Sequence, residues 1–230
     1  MNTGAARRVL SGVSALLPSR RTLYAVAVLL VLAHVLLVFR HYPLSILRSG
    51  EPLCTGDLGI HFAGCSEGRQ LLSNGGRLWG YSPNFMAGYP FGAWDSFSRR
   101  GYEYASLLFP GCSAATAFYW YVILTALLPP FLLALAAGIL GLGRREILLC
   151  LCLAVVIYQV GDPISYLWTF GNVAFPFVTC LAVLYFALAV AGIQRRKASL
   201  LAAAGLLLGL IFWLHQLATI PTLAGSLFIP

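Results

Sequence analysis

The sequence predicts an all-α membrane protein, a polytopic bundle of about five transmembrane helices. It also predicts a long extracytoplasmic first loop that contains juxtamembrane amphipathic helices. Hydrophobic residues make up 60% of the 230-residue chain and charged residues only 10%, whereas soluble domains carry about 25% charged residues. The apolar residues come in runs long enough to span a bilayer, and basic residues cluster at the borders of these runs. These observations exclude an ordinary soluble domain.

The distribution of basic residues is a topology signal. A formal net charge of +8 would by itself be compatible with nucleic-acid binding, but nine of the fifteen Lys and Arg residues stand in three short clusters beside apolar runs. Cytoplasmic segments of membrane proteins carry such clusters, so we expect no nucleic-acid partner. The clusters are Arg7, Arg8, Arg20 and Arg21; Arg144 and Arg145; and Arg195, Arg196 and Lys197.

Residues 1–21 are expected to form a basic cytoplasmic tail, and residues 22–230 a transmembrane domain. The first span is residues 22–39, TLYAVAVLLVLAHVLLVF, which is just long enough to cross the bilayer. The preceding basic region also fits a signal peptide, but the run exceeds the usual apolar core and no small-residue cleavage site follows it. We interpret it as a transmembrane helix with its N-terminus inside, and His34 as a satisfied interior histidine.

Four further spans are expected after the first loop. Pro129 and Pro130 predict a kink or break in the second span, because proline has no backbone N–H to donate. The chain ends in an apolar stretch, PTLAGSLFIP. This favours a fragment of a longer polytopic protein over a C-terminus that rests in the bilayer. The four spans are predicted at residues 113–142, 146–160, 173–193 and 198–218, the last ending near His215.

The first extracytoplasmic loop, residues 41–112, is predicted to be ordered. It holds five of the seven acidic residues of the chain, and nine aromatic residues between positions 79 and 104. Loops of this length in compact domains usually carry function or are disordered, and the aromatic content favours a packed element. A second juxtamembrane helix is expected through residues 103–109.

The segment GDLGIHFAGCSEGRQLL, residues 56–72, predicts an amphipathic helix at the membrane surface. Spacings of three and four residues place Asp57, His61, Gly64 and Gly68 on one stripe, which we interpret as the polar face. Asp57 can serve as the N-cap or first-turn acid of this helix, or as a carboxylate available for chemistry.

His61 has three possible roles at this stage. It could orient Asp57, share a metal ion with it, or be solvated. One His–Asp pair is smaller than a minimal protein metal site, so no metal ligands are assigned.

The six cysteines do not form a disulfide framework. Three of them lie within apolar runs and are expected to be small buried side chains. The other three, Cys54, Cys65 and Cys112, lie in the first loop, where an oxidising compartment would permit one bridge.

Three motifs carry a resemblance to a known family: D-L-G-I-H at residues 57–61, R-L-W at 77–79 and A-G-Y-P at 87–90. With an inside-to-outside first helix and an acid soon after it, they resemble the GT-C superfamily of polyprenyl-phosphate-sugar-dependent glycosyltransferases. The likeness is to bacterial membrane proteins of the 6-pyruvoyl-tetrahydropterin-synthase-related type, and it covers about residues 22–120. F-W-L-H-Q-L-A at 212–218 resembles a His-bearing helix end in the same proteins. The resemblance implies a bacterial inner-membrane protein.

The resemblance implies transfer of a sugar from a polyprenyl-phosphate-linked donor to an acceptor glycan, lipid or protein on the extracytoplasmic face. An acid of the first loop serves that superfamily as general base or helps to hold a divalent cation, so Asp57 is carried over as the catalytic residue. The leaving phosphate and the sugar need cationic, polar and aromatic partners. The expected substrate-binding residues are His61, Arg77, Trp79, Tyr89, Arg99, Arg100 and His215.

Two other functions stay open. Many members of the superfamily have two neighbouring acids in this loop, whereas here the next acid after Asp57 is Glu67. That departure leaves the divalent cation open and supports a non-catalytic integral-membrane subunit, or a degenerate relative that binds lipid. A secondary transporter is less well supported, because the two halves of the chain are dissimilar and the charges cluster at membrane borders.

Overall fold

The computed structural model describes residues 19–77, 79–83, 88–91, 101, 103, 108–161, 171 and 174–229. Most of this part of the chain is helical, as predicted, and one short antiparallel ribbon accompanies the helices. The ribbon consists of β1 (Gly80–Ser82) and β2 (Tyr89–Phe91). The helices are α1 (Arg20–His41), α2 (Ser45–Ser49), α3 (Leu58–Gly75), α4 (Ala114–Leu127), α5 (Pro129–Ile139), α6 (Arg144–Val160), α7 (Ala174–Gln194), α8 (Ala198–Leu214) and α9 (Gln216–Ser226).

Among the described residues, two helical segments are long and apolar enough to cross a membrane, Arg20–Ser49 and Ala174–Gln194. The pair α4 and α5, bent by 48°, makes a third if the two helices form one span. Helices α6 and α8 have 17 residues each, fewer than the roughly 20 that cross a typical hydrocarbon core. The structure thus supports two or three candidate spans, and the five-span bundle stays a prediction.

Helix boundaries lie close to those expected from the apolar runs, with one exception. Ser19 is the N-cap of α1, where its hydroxyl oxygen accepts a hydrogen bond from the Thr22 amide at 3.2 Å, so the helix begins before the predicted span. The exception is the run predicted at 198–218, where α8 ends at Leu214. His215 follows with an extended backbone (φ −159°, ψ 95°), and α9 starts afresh at Gln216.

The break between α4 and α5 lies at the two prolines that predicted it, Pro129 and Pro130. A residue at position 129 would normally donate its N–H to the carbonyl of Thr125, which proline cannot do. The hydroxyl of Tyr158 on α6 donates to that carbonyl instead, at 3.5 Å. A side chain from a neighbouring helix therefore satisfies a carbonyl that the break leaves free.

His34 supplies a second such contact from α1. The Phe131 amide donates to the Leu128 carbonyl at 3.0 Å, which leaves the Leu127 carbonyl for Nε2 of His34, at 3.2 Å. The side-chain amide of Gln159 donates to Nδ1 of the same ring. With Nδ1 accepting and Nε2 donating, the imidazole is neutral. Its side chain is fully buried, so the interpretation of His34 as a satisfied interior histidine is confirmed.

The buried side chains form two main clusters. One joins the end of α1 to α3 and α4 around Val38, Leu58 and Phe118. The other joins α7, α8 and α9 around Val178 and Ile211. Large apolar side chains also cover the outer faces of these helices, which is the pattern of helices that face lipid. Examples of these exposed side chains are Leu29, Leu36, Leu206 and Leu217.

The basic clusters in the described residues gather at one end of the bundle. Arg195, in the turn between α7 and α8, donates to the carbonyl of Ile139 at the end of α5, at 2.7 Å. Arg144 follows that end directly and begins α6. The remaining cluster, Arg20 and Arg21, begins α1, which packs along α6. The candidate site residues lie away from this end, after the C-terminus of α1 and at the C-terminus of α8. The predicted tail lies outside the described residues as far as residue 18.

Candidate functional site

Asp57 occupies the N-cap position of α3, as predicted, but it does not cap the helix. Its backbone is helical (φ −70°, ψ −11°), and its side chain makes no capping hydrogen bond within α3, all of which is described. A capping aspartate normally has an extended backbone, which directs the carboxylate at the free amides of the first turn. The side chain is instead exposed, so the carboxylate remains available to another molecule.

Gly171 packs closely against the backbone of Asp57 and Leu58. A Cβ at Gly171 would lie 2.7 Å from the Leu58 nitrogen and 3.0 Å from the Asp57 nitrogen, and its φ of +73° is one that side chains rarely adopt. Glycine is therefore required for this approach. Because Gly171 lies three residues before α7, the segment that leads into α7 meets the start of α3.

His61, one turn after Asp57, lies on the buried side of α3. Its side chain is only 7% exposed, so of the three roles considered above the solvated one does not apply. The stripe of His61, Gly64 and Gly68, expected to be the polar outer face, is buried together with Leu58. The physical reason is that two glycines one turn apart leave a notch on the helix, and another part of the chain packs there.

Glu103 fills the notch. Its side chain is 1% exposed, and a Cβ at Gly68 would lie 2.9 Å from its Cγ. The sequence analysis missed this residue as a site component. The signal that could have found it is the glycine pair at 64 and 68, which marks a face open to close packing.

Cys65 lies beside this packed carboxylate. Burial is the main cause that raises the pKa of its thiol to about 12; the Arg69 guanidinium opposes this shift, and the negative charge of Glu103 adds to it. Nη1 of Arg69 is buried and has no hydrogen-bond partner in the described part of the chain. The inner face of α3 thus combines a carboxylate, a guanidinium and a protonated thiol. The thiols of Cys54, Cys65 and Cys112 are all free, so the loop disulfide left open above is absent.

Gly101, two residues before Glu103, packs against the end of α8. A Cβ there would lie 2.8 Å from Leu214 Cδ2 and would collide with the hydroxyl of Tyr121 on α4. The Gly101–Glu103 segment therefore links α3 to α4 and to the residue that precedes His215. The helix expected at residues 103–109 lies mostly outside the described residues.

His215 belongs to the same region. Its ring is 7% exposed and packs edge-on against Phe175 of α7 with 5.5 Å between ring centroids. Nδ1 of His215 and the hydroxyl of Thr219, one turn later on α9, are both buried without a hydrogen-bond partner in the described residues. Because Phe175 follows shortly after Gly171, His215 and Asp57 lie at the same end of the bundle.

Arg77 and Trp79 form an exposed pair between α3 and β1. The Arg77 guanidinium carbon lies 5.1 Å from the centre of the Trp79 ring, a cation–π geometry, and the Trp79 side chain is 59% exposed. Tyr89 pairs with Ser82 across the ribbon, while its side chain lies outside the described structure. Two further predicted substrate-binding residues, Arg99 and Arg100, lie outside the described residues altogether.

Within the described residues, Asp57 and His61 do not form a complete metal site of their own. Zinc sites use three or four side-chain ligands, and Asp57 and His61 would supply two. No group of three His, Cys, Asp or Glu side chains suited to a metal ion occurs in the described residues. We therefore derive no chemical step through a metal.

Comparison of the chain with protein-family models, with curated proteins and with solved structures found no match. The resemblance to GT-C glycosyltransferases therefore stays a prediction.

Proposed function

We propose that the chain is an integral membrane glycosyltransferase. It transfers a sugar from a polyprenyl-phosphate-linked donor to an acceptor glycan, lipid or protein on the extracytoplasmic face of a bacterial inner membrane. Its N-terminus is then cytoplasmic, as the basic ends of α1 and α6 suggest. The observation that carries the proposal is the carboxylate of Asp57, which is exposed and unused by its own helix. The motif resemblance at residues 57–61, 77–79 and 87–90 supports it.

In this mechanism Asp57 is the general base. An acceptor hydroxyl within about 3 Å of the carboxylate gives up its proton to Asp57. The hydroxyl oxygen bonds to the anomeric carbon of the sugar as the bond between that carbon and the phosphate oxygen breaks. The polyprenyl phosphate leaves with the electron pair. The rigid contact between Gly171 and the Asp57 backbone holds the base in position during the transfer.

Two groups are suited to the negative charge of the leaving phosphate. Arg77 is a cation held over Trp79, and aromatic and basic side chains together suit the headgroup level of a membrane. His215 precedes the first turn of α9, where free amides favour an anion.

Asp57→Asn in the full-length protein tests the proposal. Loss of a general base lowers rates by about 10²- to 10⁴-fold, so we expect transfer from a radiolabelled polyprenyl-phosphate sugar in membrane vesicles to fall at least 100-fold. Glu51→Gln is the matched control, because Glu51 is an exposed acid of the same loop. A folded Asp57→Asn protein that transfers sugar at the wild-type rate would refute the role of Asp57.

A non-catalytic lipid-binding relative is the second candidate. The specific observation in its favour is the exposed Arg77–Trp79 pair with Tyr81 exposed beside it, which binds a phosphate headgroup without any chemistry. This function predicts that Trp79→Ala weakens lipid binding while Asp57→Asn leaves cellular function intact. Loss of cellular function in the Asp57→Asn variant would instead favour the glycosyltransferase.

A further inference from the structure

A groove runs between the N-terminal halves of α1 and α6. Apolar side chains line it, and two of them, Val28 and Leu32, are more than half exposed, so the groove opens to the outside of the bundle. Its volume is about 270 Å³, just below the roughly 300 Å³ at which small-molecule pockets begin. It therefore accommodates a segment of hydrocarbon chain. The lining includes Tyr24, Val28, Val31 and Leu32 of α1 and Leu148 and Leu151 of α6.

The two helices run parallel along the groove. Tyr24 to Leu32 of α1 face Leu148 and Leu151 of α6. Further along both helices, His34 of α1 contacts Gln159 of α6. Contacts in the same order on both helices require the same direction, so the first turns of α1 and α6 lie side by side at the mouth of the groove.

Arginines occupy both of these first turns. Arg20 precedes Tyr24 by four residues, and Arg144 precedes Leu148 by four, a spacing that places side chains on one helix face. Arg145 is half-buried, and its Nε is buried without a hydrogen-bond partner in the described residues. The mouth of the groove therefore has exposed guanidinium groups, and an unsatisfied cationic donor lies in the same first turn of α6.

Few acids oppose this positive charge. The first turns of α1 and α6, both described in full, contain four arginines and a single acid, Glu146. The Glu146 carboxylate folds back over Gly143, where it would collide with a Cβ. An anion at the mouth thus meets a net positive surface directly above an apolar channel.

Helix α1 also has little protein around it. Within its most apolar stretch 22% of the residues are buried, compared with 56% for α7. One molecule that fills the groove would touch both helices at once and would cover part of this exposed surface.

We propose that this groove binds one anionic phospholipid. An acyl chain lies between α1 and α6, and the phosphate contacts the arginines of the two first turns. Basic pockets between transmembrane helices are suited to anionic headgroups, and arginine donors match phosphate oxygens. The lipid fastens α1, and through it the start of the loop that bears Asp57, to the rest of the bundle. The site is independent of the proposed transfer reaction.

Reconstitution of the full chain in phosphatidylcholine nanodiscs, with or without phosphatidylglycerol, tests the site. Native mass spectrometry counts the phosphatidylglycerol molecules that the protein retains, and titration gives their apparent Kd. We expect one retained molecule and a higher melting temperature in its presence, because a ligand of the folded state stabilises it. Equal retention of phosphatidylcholine would overturn the proposal, since it would indicate only ordinary surrounding lipid.

Two variants separate the groove from the surface in general. Val28→Trp fills the groove from an exposed position and should abolish retention, whereas Leu29→Trp, equally exposed but outside the lining, should not change it. Joint replacement Arg20→Gln and Arg144→Gln should weaken binding about 25-fold, at about fivefold for each arginine. Arg48→Gln, an exposed arginine at the opposite end of the α1–α2 segment, is the control. Equal effects of Val28→Trp and Leu29→Trp, or of Arg48→Gln and the double variant, would overturn the proposal.

Discussion

Glu103 places its side chain in the space that Gly68 leaves free on α3, so close that a Cβ at Gly68 would lie 2.9 Å from Glu103 Cγ. This contact turns the glycine-bearing face of α3 into a buried one. It also brings the Glu103 carboxylate, which no sequence motif singles out, against the helix that begins beside Asp57.

Gly68→Ala should therefore destabilise the protein. The added methyl group displaces Glu103, and such overpacking costs about 1–3 kcal/mol. Gly75→Ala on the same helix is the control, because nothing lies within 4 Å of its Cβ position. That change should be neutral or stabilising, since alanine favours helix. Thermal unfolding in detergent distinguishes the two, and equal melting temperatures would contradict the close contact.

Gly171→Ala should displace the start of α3. The new Cβ would meet the Leu58 nitrogen at 2.7 Å, and the backbone already has a φ of +73°. Gly111→Ala is a matched control because Gly111 also has positive φ (+86°) but open space around its Cβ position. We expect sugar transfer to fall much further for Gly171→Ala than for Gly111→Ala, with both proteins folded by gel filtration. Equal activities of the two variants would show that Gly171 does not determine the position of Asp57.

Cys65 should resist thiol reagents in the folded protein. Its pKa of about 12 keeps it protonated at pH 7–9, and the thiolate is the reactive form. Maleimide labelling followed by mass spectrometry should modify Cys54, which is exposed, and reach Cys65 only after denaturation. Labelling of both at equal rates in the native state would show that the thiol is accessible.

The same pKa shift has a consequence for stability. Above the usual thiol pKa of 9.0 the unfolded chain releases the Cys65 proton, whereas the folded chain retains it until about pH 12. The free energy of unfolding should therefore fall as pH rises above 9. Cys65→Ser, whose hydroxyl does not titrate in this range, should remove that part of the pH dependence in denaturant unfolding. An unchanged pH profile would contradict the burial of the thiol.

His34→Leu should destabilise the junction of α1, α4 and α6. The change leaves the Leu127 carbonyl and the Gln159 side chain without their imidazole partner, and each buried unpaired group costs about 1–3 kcal/mol. The double variant His34→Leu with Gln159→Leu should recover part of this loss, because it removes one of the two orphaned groups. A double-mutant cycle measures the coupling, and strictly additive effects would show that the two side chains do not interact.

The helices were predictable because their signals are local. Apolar runs located α1, α4 and α7 closely, and Pro129 with Pro130 located the break. These features depend on neighbouring residues only. The end of α8 near His215 was expected, but the new helix that starts at Gln216 was not, because FWLHQLA contains neither proline nor glycine to mark a break.

The candidate site was only partly predictable. The position of Asp57 at a helix start followed from its sequence context, but the buried face of α3 did not. Its hydrophobic periodicity is weak, and glycines give no sign of which partner approaches them. Glu103 lies 35 residues after Gly68 in the chain, so only the tertiary fold brings them together. The ribbon of three-residue strands was too short to leave a periodic signal.

The contacts of His34 join parts of the chain that are synthesised at different times. In a chain that spans the membrane as proposed, α1 would enter the bilayer long before Leu127, 93 residues later, and Gln159, 125 residues later, have been synthesised. Until then a polar ring in hydrocarbon has no protein partner, an unfavourable state for the isolated helix. When α4 to α6 have been inserted, the Leu127 carbonyl and the Gln159 side chain become available to the imidazole. The need of His34 for these partners therefore favours packing of α1 beside the proline break over packing elsewhere on the bundle.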